Sequence, residues 1–256
     1  MSLRPRLIPC LLVHNGGLVK TTRFADPKYV GDPLNAVRIF NEKRADELMV
    51  LDIDATSQGR EPNYSLIATL ARECRMPLCY GGGVTTPDQV DRIVSLGVEK
   101  VAIATAALAD LTLVESSASR VGSQSVAVVL ETRRDARGQL VSVHSRRGTQ
   151  RIDGSAHSLA QQAEKAGAGE LVINSIDRDG TMSGYDEPLI AELRACVSLP
   201  ITVVGGASSV NEMLKITSRH QGVAAAAGSL FVFKGKYRAV LIQYPTPSER
   251  STQPRG

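Results

Sequence analysis

Short apolar runs alternate with stretches of helically spaced apolar residues along most of the chain. The runs begin near residues 7, 48, 78, 100, 125, 171, 201 and 222, as expected for strands buried on both faces. Between them, apolar residues recur at helical spacing, which predicts helices at 65–75, 87–96, 158–166 and 188–197. Pro77 and Pro200 each open a predicted strand, a position where proline is tolerated. Eight strands that alternate with helices predict an α/β fold.

The second half of the chain repeats the first. Residues 46–83 align with residues 169–206 without a gap, so that Glu47 falls on Glu170 (170 − 47 = 123). This is a duplicated multi-element unit, because solenoid repeats have periods of roughly 20–50 residues. The repeat predicts a (β/α)8 TIM barrel built from two half-barrels, with two similar sites related by a pseudo-twofold axis. A doubly wound sheet would also alternate strands and helices, but it gives no reason for such a repeat.

Length and composition agree with a single barrel. The 256 residues match the roughly 250 that are typical of this fold, and we expect residues 1–244 to form it. Residues 245–256 are rich in Pro and Ser, which predicts a disordered tail. No long apolar run or charged-then-apolar leader is present, so we expect a cytoplasmic protein that does not enter a membrane.

The remaining composition excludes several kinds of site. A net charge of +4 is spread along the chain, which disfavours nucleic-acid binding. The cysteines lack metal-ligand spacing and are expected to stay reduced. They are Cys10, Cys74, Cys79 and Cys196. The sequence therefore predicts neither a metal site nor a cofactor.

Glycines close two of the predicted strands, Gly81-Gly82-Gly83 in the first half and Gly205-Gly206 in the second. One strand later a small hydroxyl residue follows, in Ala104-Thr105 and in Gly228-Ser229. At the carboxyl ends of barrel strands, glycines let backbone N–H groups approach an anion. The pattern predicts two phosphate cradles that face each other across the barrel mouth, and a ligand with a phosphate at each end. The alternative is that these glycines only permit tight turns.

Ionisable residues also follow the repeated strands. Asp54 in the first half aligns with Asp177 in the second, and Asp177 is a candidate catalytic residue. Both could instead be structural and bind neighbouring loops. Asp179 and Gly180 are candidate phosphate contacts that would also suit a tight loop. Lys20, in the first predicted loop, is a candidate for catalysis or phosphate binding, and could equally be an ordinary solvated lysine.

Short motifs between about residues 5 and 233 resemble the cyclase subunit of imidazole glycerol phosphate synthase. They are Arg6–Cys10, Gly31–Pro33, Asp46–Leu48, Leu51–Ile53, Gly81–Gly83, Gly122–Gln124, Gly167–Glu170, Ser175–Gly180 and Gly205-Gly206. The resemblance implies a (β/α)8 barrel whose N-terminal face docks a glutaminase subunit. Ammonia from that partner would pass along the barrel axis to a two-phosphate ribulosyl substrate at the far mouth.

The chain departs from this family at positions that the resemblance makes catalytic. The family has a general acid–base aspartate at the end of the first strand and another at the end of the fifth. Here these positions hold Leu12, which cannot transfer a proton, and Glu131, which is one methylene longer. Loss of a general acid–base typically costs about 10²–10⁴-fold in rate. Ala104, Asn174 and Val204 also replace the family's usual residues. Lost or weakened cyclase chemistry is therefore predicted, with Glu131 as the remaining candidate carboxylate.

Four charged residues that close the floor of the family's barrel are all present. They map onto Arg6, Glu47, Lys100 and Glu170. The resemblance implies that this ring opens to admit ammonia; the alternative is a stabilising ring of salt bridges without a transport role. Stability alone is a weak reason to keep such a ring, because buried ion pairs often fail to offset their desolvation.

A retained conduit with an altered catalytic pair resembles one branch of the family, which modifies surface-polysaccharide sugars to acetamidino sugars. Leu11–Lys20, Gly31–Ala36, Pro77–Gly81 and Gly228–Ile242 fit that branch. Arg238–Tyr244 is apolar and β-prone, where a cyclase has a charged helix. In this branch the barrel and a glutaminase supply ammonia to a sugar amidotransferase.

Two functions therefore remain open. The sequence favours a weakly catalytic or non-catalytic ammonia-channelling subunit in acetamidino modification of a lipopolysaccharide or O-antigen sugar. The alternative is a working cyclase subunit, a lyase of histidine biosynthesis. The intact glycine cradles argue for this alternative or for a phosphorylated regulator. Isomerisation of an aminoaldose would again need two carboxylates and is disfavoured by Leu12.

Overall fold

Eight parallel strands close into a barrel in the computed structural model, which describes residues 5–139 and 141–251. Each strand pairs in parallel with its neighbours, and the eighth pairs with the first. The strands are Leu7–His14, Leu48–Asp52, Leu78–Gly81, Lys100–Ile103, Val126–Arg134, Glu170–Ser175, Ile201–Val204 and Val223–Ala227. The predicted (β/α)8 barrel is confirmed.

Helices connect the strands and cover the outside of the barrel. The helices are Pro33–Glu42, Tyr64–Glu73, Pro87–Ser95, Thr105–Ala109, Thr112–Val121, Ala156–Lys165, Glu187–Cys196, Val210–Arg219, Ser229–Val232 and Pro247–Ser251. The four helices predicted from apolar spacing are all present, with ends that differ by at most two residues. Among the described residues, no helix is both long and apolar enough to cross a membrane.

The duplication extends to individual hydrogen bonds. The helices Tyr64–Glu73 and Glu187–Cys196 begin and end at equivalent positions of the repeat (187 − 64 = 123). Their N-caps are equivalent as well. The side chains of Asn63 and Asp186 each accept a hydrogen bond from the backbone N–H of the residue three positions later. The Leu48 N–H donates to Pro77 O at 2.8 Å, and at the equivalent positions residue 171 donates to residue 200 at 3.0 Å. The two half-barrels are therefore repeated in their local chemistry.

Two antiparallel hairpins, absent from the sequence prediction, extend the barrel at its carboxyl-terminal mouth. Gly17–Thr22 and Ala25–Gly31 follow the first barrel strand. Val141–Ser145 and Gln150–Ser155 follow the fifth. Because they follow the first strand of each half, the hairpins rise on opposite sides of the mouth.

An extended arm stands where the eighth barrel helix would lie. After the four-residue helix Ser229–Val232, short strands at Phe233–Lys234 and Ala239–Val240 form a C-terminal hairpin. The β-prone segment that the sequence analysis singled out thus lies in a hairpin and an extended chain. Pro247–Ser251 form a short helix where composition predicted disorder, because Arg250 is buried and pairs with Asp46. Residues 252–256 lie outside the described residues.

Tyr244 fastens this arm to the amino-terminal side of the barrel. Its ring packs against Phe40 and Phe231, with centroids 6.4 Å and 5.2 Å away. Its hydroxyl donates to Leu7 O at 2.7 Å and accepts from the Asp46 N–H at 3.1 Å. The arm therefore takes over the covering role of a helix.

We expect Tyr244→Ala to lower the free energy of unfolding by about 3–5 kcal/mol, because it removes a buried ring and leaves a cavity. Tyr244→Phe keeps the ring and loses only the hydroxyl bonds, so about 1–2 kcal/mol is expected. Urea unfolding measures both. Tyr237 lies on the same arm with 89% of its surface exposed, and Tyr237→Ala is the control, with an expected change below about 0.5 kcal/mol. Equal losses for Tyr244→Ala and Tyr237→Ala would contradict the anchoring role.

Candidate functional site

A cavity of about 660 Å³ opens at the carboxyl ends of the barrel strands. This volume suits a small-molecule ligand. Eleven of the twelve residues that the sequence analysis proposed for catalysis or phosphate binding line it. They are Lys20, Gly82, Gly83, Thr105, Glu131, Asp179, Gly180, Gly205, Gly206, Gly228 and Ser229. Asp177 is not among the lining residues.

The repeated glycines let the chain pass close beneath this cavity. Gly82 and Gly205 have φ angles of +122° and +94°, which favour glycine. A Cβ on Gly205 would lie 2.6 Å from the Ser175 carbonyl oxygen, and one on Gly82 would meet Asp52 O, its repeat equivalent, even closer. The tight-turn reading thus has a physical basis. It is compatible with an anion site, since the same absence of side chains leaves the backbone open to the cavity.

The hydroxyl residues of the two cradles each accept a hydrogen bond from the protein. Thr105 Oγ1 accepts from the Arg146 N–H at 3.2 Å, and Ser229 Oγ accepts from Arg238 Nη2 at 3.3 Å. Both partners are donors only, so each hydroxyl keeps its own proton for a further acceptor. The two cradles are therefore equipped to donate hydrogen bonds to an anion in the cavity.

Glu131 is a carboxyl group with a strongly perturbed ionisation. Burial raises the pKa of Glu131 to about 7, although the Gly148 N–H, at 3.0 Å from Oε2, and the Arg147 charge oppose this. A group with a pKa near 7 can both accept and release a proton at neutral pH. Leu12 lines the same cavity and has no such capacity. Of the two positions where the resembled family has an aspartate, only the one at Glu131 thus holds a carboxyl group here.

Lys20 is buried rather than solvated. Its side chain is 4% exposed, and its ammonium donates to Cys10 O. Burial lowers the pKa of Lys20, while Cys10 and the nearby Asp179 act in the opposite direction. Among the described residues no direct ion pair to Lys20 is formed. The Lys20 amino group therefore lies at the cavity wall beside Gly228, where a Cβ would be 2.8 Å from the nitrogen.

Asp179 anchors the first hairpin. Its Oδ2 accepts from Thr21 Oγ1 at 2.6 Å and from the Phe24 N–H at 3.1 Å. Burial raises the pKa of Asp179 against these bonds and the Lys20 charge. An ionised carboxylate only accepts hydrogen bonds and offers no donor to a phosphate, so the Asp179 side chain attaches the hairpin loop.

Asp54 and Asp177 hold loops, as the structural alternative proposed. Asp54 accepts from the Asn15 N–H at 2.8 Å and pairs with His14 at 2.7 Å. Asp177 accepts from the Arg134 N–H at 2.7 Å, and its side chain is 43% exposed. Each aspartate thus binds the chain at the end of the first strand of its own half. Asp177 is not among the residues that line the cavity, so a catalytic role for it stays a prediction without support from the cavity geometry.

Three arginines in the cavity wall were missed by the sequence analysis. Arg146 and Arg147 come from the second hairpin, and Arg60 from the loop after the second strand. The pair Arg146-Arg147 before Gly148 was a visible signal, but without the hairpin nothing connected it to the mouth. These residues add positive charge where a phosphorylated ligand would enter.

The four predicted floor residues meet at the opposite end of the barrel in a closed ring. Arg6 binds Glu47 at 2.9 Å and Glu170 at 3.3 Å. Lys100 binds Glu170 at 2.8 Å and also pairs with Glu47. Burial opposes ionisation of Glu170, but Lys100 and Arg6 outweigh it and hold the pKa of Glu170 below its usual value. The same carboxylates raise the pKa of Lys100 against the effect of its burial.

Between the ring and the mouth, the barrel interior is apolar and built mostly of small side chains. It contains Ile8, Cys10, Met49, Cys79, Ala102, Ala127, Val129, Val172, Val204, Ala224 and Ala226. Burial raises the pKa of the Cys10 thiol to about 11, so the thiol stays neutral. The axis therefore joins a charged floor to a polar mouth through uncharged side chains.

We expect Lys100→Met to cost about 3–5 kcal/mol of unfolding free energy at pH 7, because it leaves two buried carboxylates without their main partner. Since the pKa of Glu170 is lowered by folding, the stabilisation is present above its unfolded pKa and lost as pH falls through the folded value. The cost should therefore shrink below about pH 4. Urea unfolding from pH 3 to 8 tests this, with exposed Lys165→Met as the control. A cost that does not depend on pH would contradict the account.

We expect Glu131→Gln to stabilise the fold above pH 7. The raised pKa means that the unfolded chain loses its proton first, so ionisation destabilises the native state progressively from about pH 4.5 to 7. Gln cannot ionise and avoids this cost. Thermal unfolding at pH 5 and pH 8 measures the effect, and the exposed Glu115→Gln is the control. A gain of equal size at both pH values would show that Glu131 has an ordinary pKa.

Comparisons with known proteins agree with this geometry. A family model described as "Histidine biosynthesis protein" matches residues 6–238. The "Putative imidazole glycerol phosphate synthase subunit hisF3" of Vibrio vulnificus (strain YJ016) is 50% identical over 248 residues, which cover 97% of this chain and 95% of the relative. The "Putative imidazole glycerol phosphate synthase subunit hisF2" of Pseudomonas aeruginosa is 52% identical over 243 residues, 95% and 96% of the two chains. The "Imidazole glycerol phosphate synthase subunit HisF" of Streptomyces avermitilis is 40% identical over 212 residues, 82% and 84%.

None of these names mentions a polysaccharide or a sugar. They favour the alternative of the sequence analysis over its preferred sugar-modification reading. With a family match across most of the barrel and relatives at 40–52% identity, the chain belongs to the HisF-type histidine biosynthesis protein family.

Proposed function

We propose that this chain is the ammonia-accepting barrel subunit of an imidazole glycerol phosphate synthase. It binds a two-phosphate ribulosyl substrate across its mouth and receives ammonia from a glutaminase docked at its floor. The observation that carries the proposal is the placement of both cradles and Glu131 in one cavity. A ligand with a phosphate at each end would bring its middle past that carboxyl group.

The route for ammonia is supported by the order of chemistry along the axis. Neutral ammonia carries no net charge and can cross an apolar interior at far lower cost than an ammonium ion. The interior between floor and mouth has neutral side chains. The ring of Arg6, Glu47, Lys100 and Glu170 lies where ammonia would enter, and it would have to part to admit it. A glutaminase on the N-terminal face would release ammonia directly above this ring.

Glu131 is the general acid–base of the proposed reaction. Its pKa of about 7 suits proton transfer in both directions. Leu12 leaves the second position without a proton-transfer group, so we expect slow turnover compared with an enzyme that carries both carboxylates.

Leu12 favours a second candidate, in which the barrel conducts ammonia but does not perform the cyclase reaction. A sugar amidotransferase that converts acetamido to acetamidino sugars would then use the ammonia. In this reading the cradles would hold a phosphorylated ligand without converting it. The names of the relatives give this candidate no support.

The test is turnover of the two-phosphate ribulosyl substrate with saturating ammonium salt, which bypasses any glutaminase. We expect measurable turnover that Glu131→Gln lowers by about 10²–10⁴-fold and that Leu12→Asp raises at least about tenfold. The wild-type pH profile should contain an ionisation near pH 7 that Glu131→Gln removes. Glu115, exposed on an outer helix, supplies the control variant Glu115→Gln, which should change nothing.

Each failure has a separate meaning. If wild type binds the substrate without turnover and Leu12→Asp turns it over, the barrel is a binding and conducting subunit, and the second candidate stands. If folded wild type neither binds nor converts the substrate, the cyclase assignment is wrong.

A further inference from the structure

The C-terminal hairpin brings a cation to the cradle at the end of the eighth strand. The guanidinium of Arg238 packs over the Phe233 ring, 4.7 Å from its centroid. Its Nη2 donates to Ser229 Oγ and to Gly180 O, both at 3.3 Å. Arg238 thus ties the loop after the sixth strand to the end of the eighth, and both residues it binds line the cavity.

Arg238 also fixes the direction in which the Ser229 hydroxyl acts. Because a guanidinium has only donors, Ser229 Oγ must accept, and its own proton is left for another acceptor. Ser229 is buried, and the described part of the chain offers that proton no acceptor. A buried donor without a partner costs free energy. An anion in the cavity would provide the missing acceptor.

Lys20 places an amino group at the same cradle. Its buried Nζ lies beside Gly228, and its hydrogen bond among the described residues goes to Cys10 O. Nζ carries further N–H donors, which are available to a ligand. Lys20, Ser229 and Arg238 therefore present donors and positive charge together, which is the chemistry that binds phosphate.

At the first cradle Arg60 and Arg146 line the cavity, but among the described residues no charged side chain bonds the Thr105 hydroxyl. Thr105 receives its hydrogen bond from the backbone of Arg146, and the chain after it continues as the helix Thr112–Val121. The second cradle receives its bond from a charged side chain, because a hairpin replaces the helix there. The two cradles therefore differ in the group that holds the hydroxyl, a backbone N–H at Thr105 and a guanidinium at Ser229.

We propose that Arg238 is a positioning residue that makes the eighth-strand cradle a phosphate site distinct from the first. It holds Ser229 as a donor toward the phosphate, keeps Gly180 against that site, and adds positive charge. The inference rests on the proposed function, in which one phosphate occupies each cradle. The asymmetry would orient a ligand whose two phosphate-bearing ends differ.

The experiment is a titration with inorganic phosphate, followed by backbone amide NMR signals of Gly83 for the first cradle and Ser229 for the second. Arg238→Gln should weaken phosphate binding at Ser229 about tenfold or more and leave Gly83 unaffected, because a charge-assisted contact is lost. Arg238→Lys should restore part of the affinity. Lys236→Gln removes one charge from an exposed site on the same hairpin and should leave both signals at wild-type affinity.

A double-mutant cycle separates positioning from a general structural effect. If Arg238 acts through the hydroxyl, Ser229→Ala combined with Arg238→Gln should lose less affinity than the two single losses together. Equal affinity at Ser229 in Arg238→Gln and Lys236→Gln would overturn the inference. So would wild-type binding at Gly83 alone. Phosphate binding at neither cradle would also overturn the proposed function, which distinguishes the two failures.

Discussion

The closed ring of Arg6, Glu47, Lys100 and Glu170 joins the amino-terminal ends of four barrel strands. Each charge in the ring contacts two of opposite sign, so none is left buried without a partner. Removing one member leaves uncompensated charge in a mostly buried site, which is far more costly than the intact ring is favourable. The ring therefore acts as a constraint: it holds the floor together, and anything that enters along the axis has to displace a pair.

At the mouth, some residues of the two half-barrels are repeated and others differ. The aspartates Asp54 and Asp177 repeat a structural task, because each binds the chain that leaves the first strand of its half. The glycine pairs repeat a close backbone approach beneath the cavity. Against this symmetric background Glu131 and Leu12 differ, and so do the partners of Thr105 and Ser229. The two halves thus differ at the residues to which the proposed function assigns its chemistry.

The barrel strands and four of the helices could be predicted because their signals are local. A strand buried on both faces is a continuous apolar run, and the repeat placed the runs in one fold. The hairpins could not be predicted in this way, since Ala25–Gly31 and Gln150–Ser155 are largely exposed and have no apolar period. The glycine cradles and the ring were found through the repeat and the family resemblance. That Asp177 lies outside the cavity lining could not be predicted, because the order of residues at a strand end does not determine which side chain turns into the mouth.

Arg238 lay beyond prediction for a related reason. It follows Ser229 by nine residues, and only the hairpin that replaces the eighth helix turns the chain back so that the two side chains meet. The apolar, β-prone character of Arg238–Tyr244 indicated that the barrel does not end in a charged helix. It did not indicate which part of the barrel this segment contacts. The tail helix was missed because a Pro/Ser-rich composition does not reveal one buried ion pair between Arg250 and Asp46.

The central claim is that one ligand with two phosphates spans the mouth from one half-barrel to the other. Calorimetric titration with the two-phosphate ribulosyl substrate, together with its two ³¹P NMR signals, tests this most directly. The account predicts one substrate molecule per chain and a shift of both phosphorus signals on binding. Binding that shifts only one signal, or two substrate molecules per chain, would contradict it.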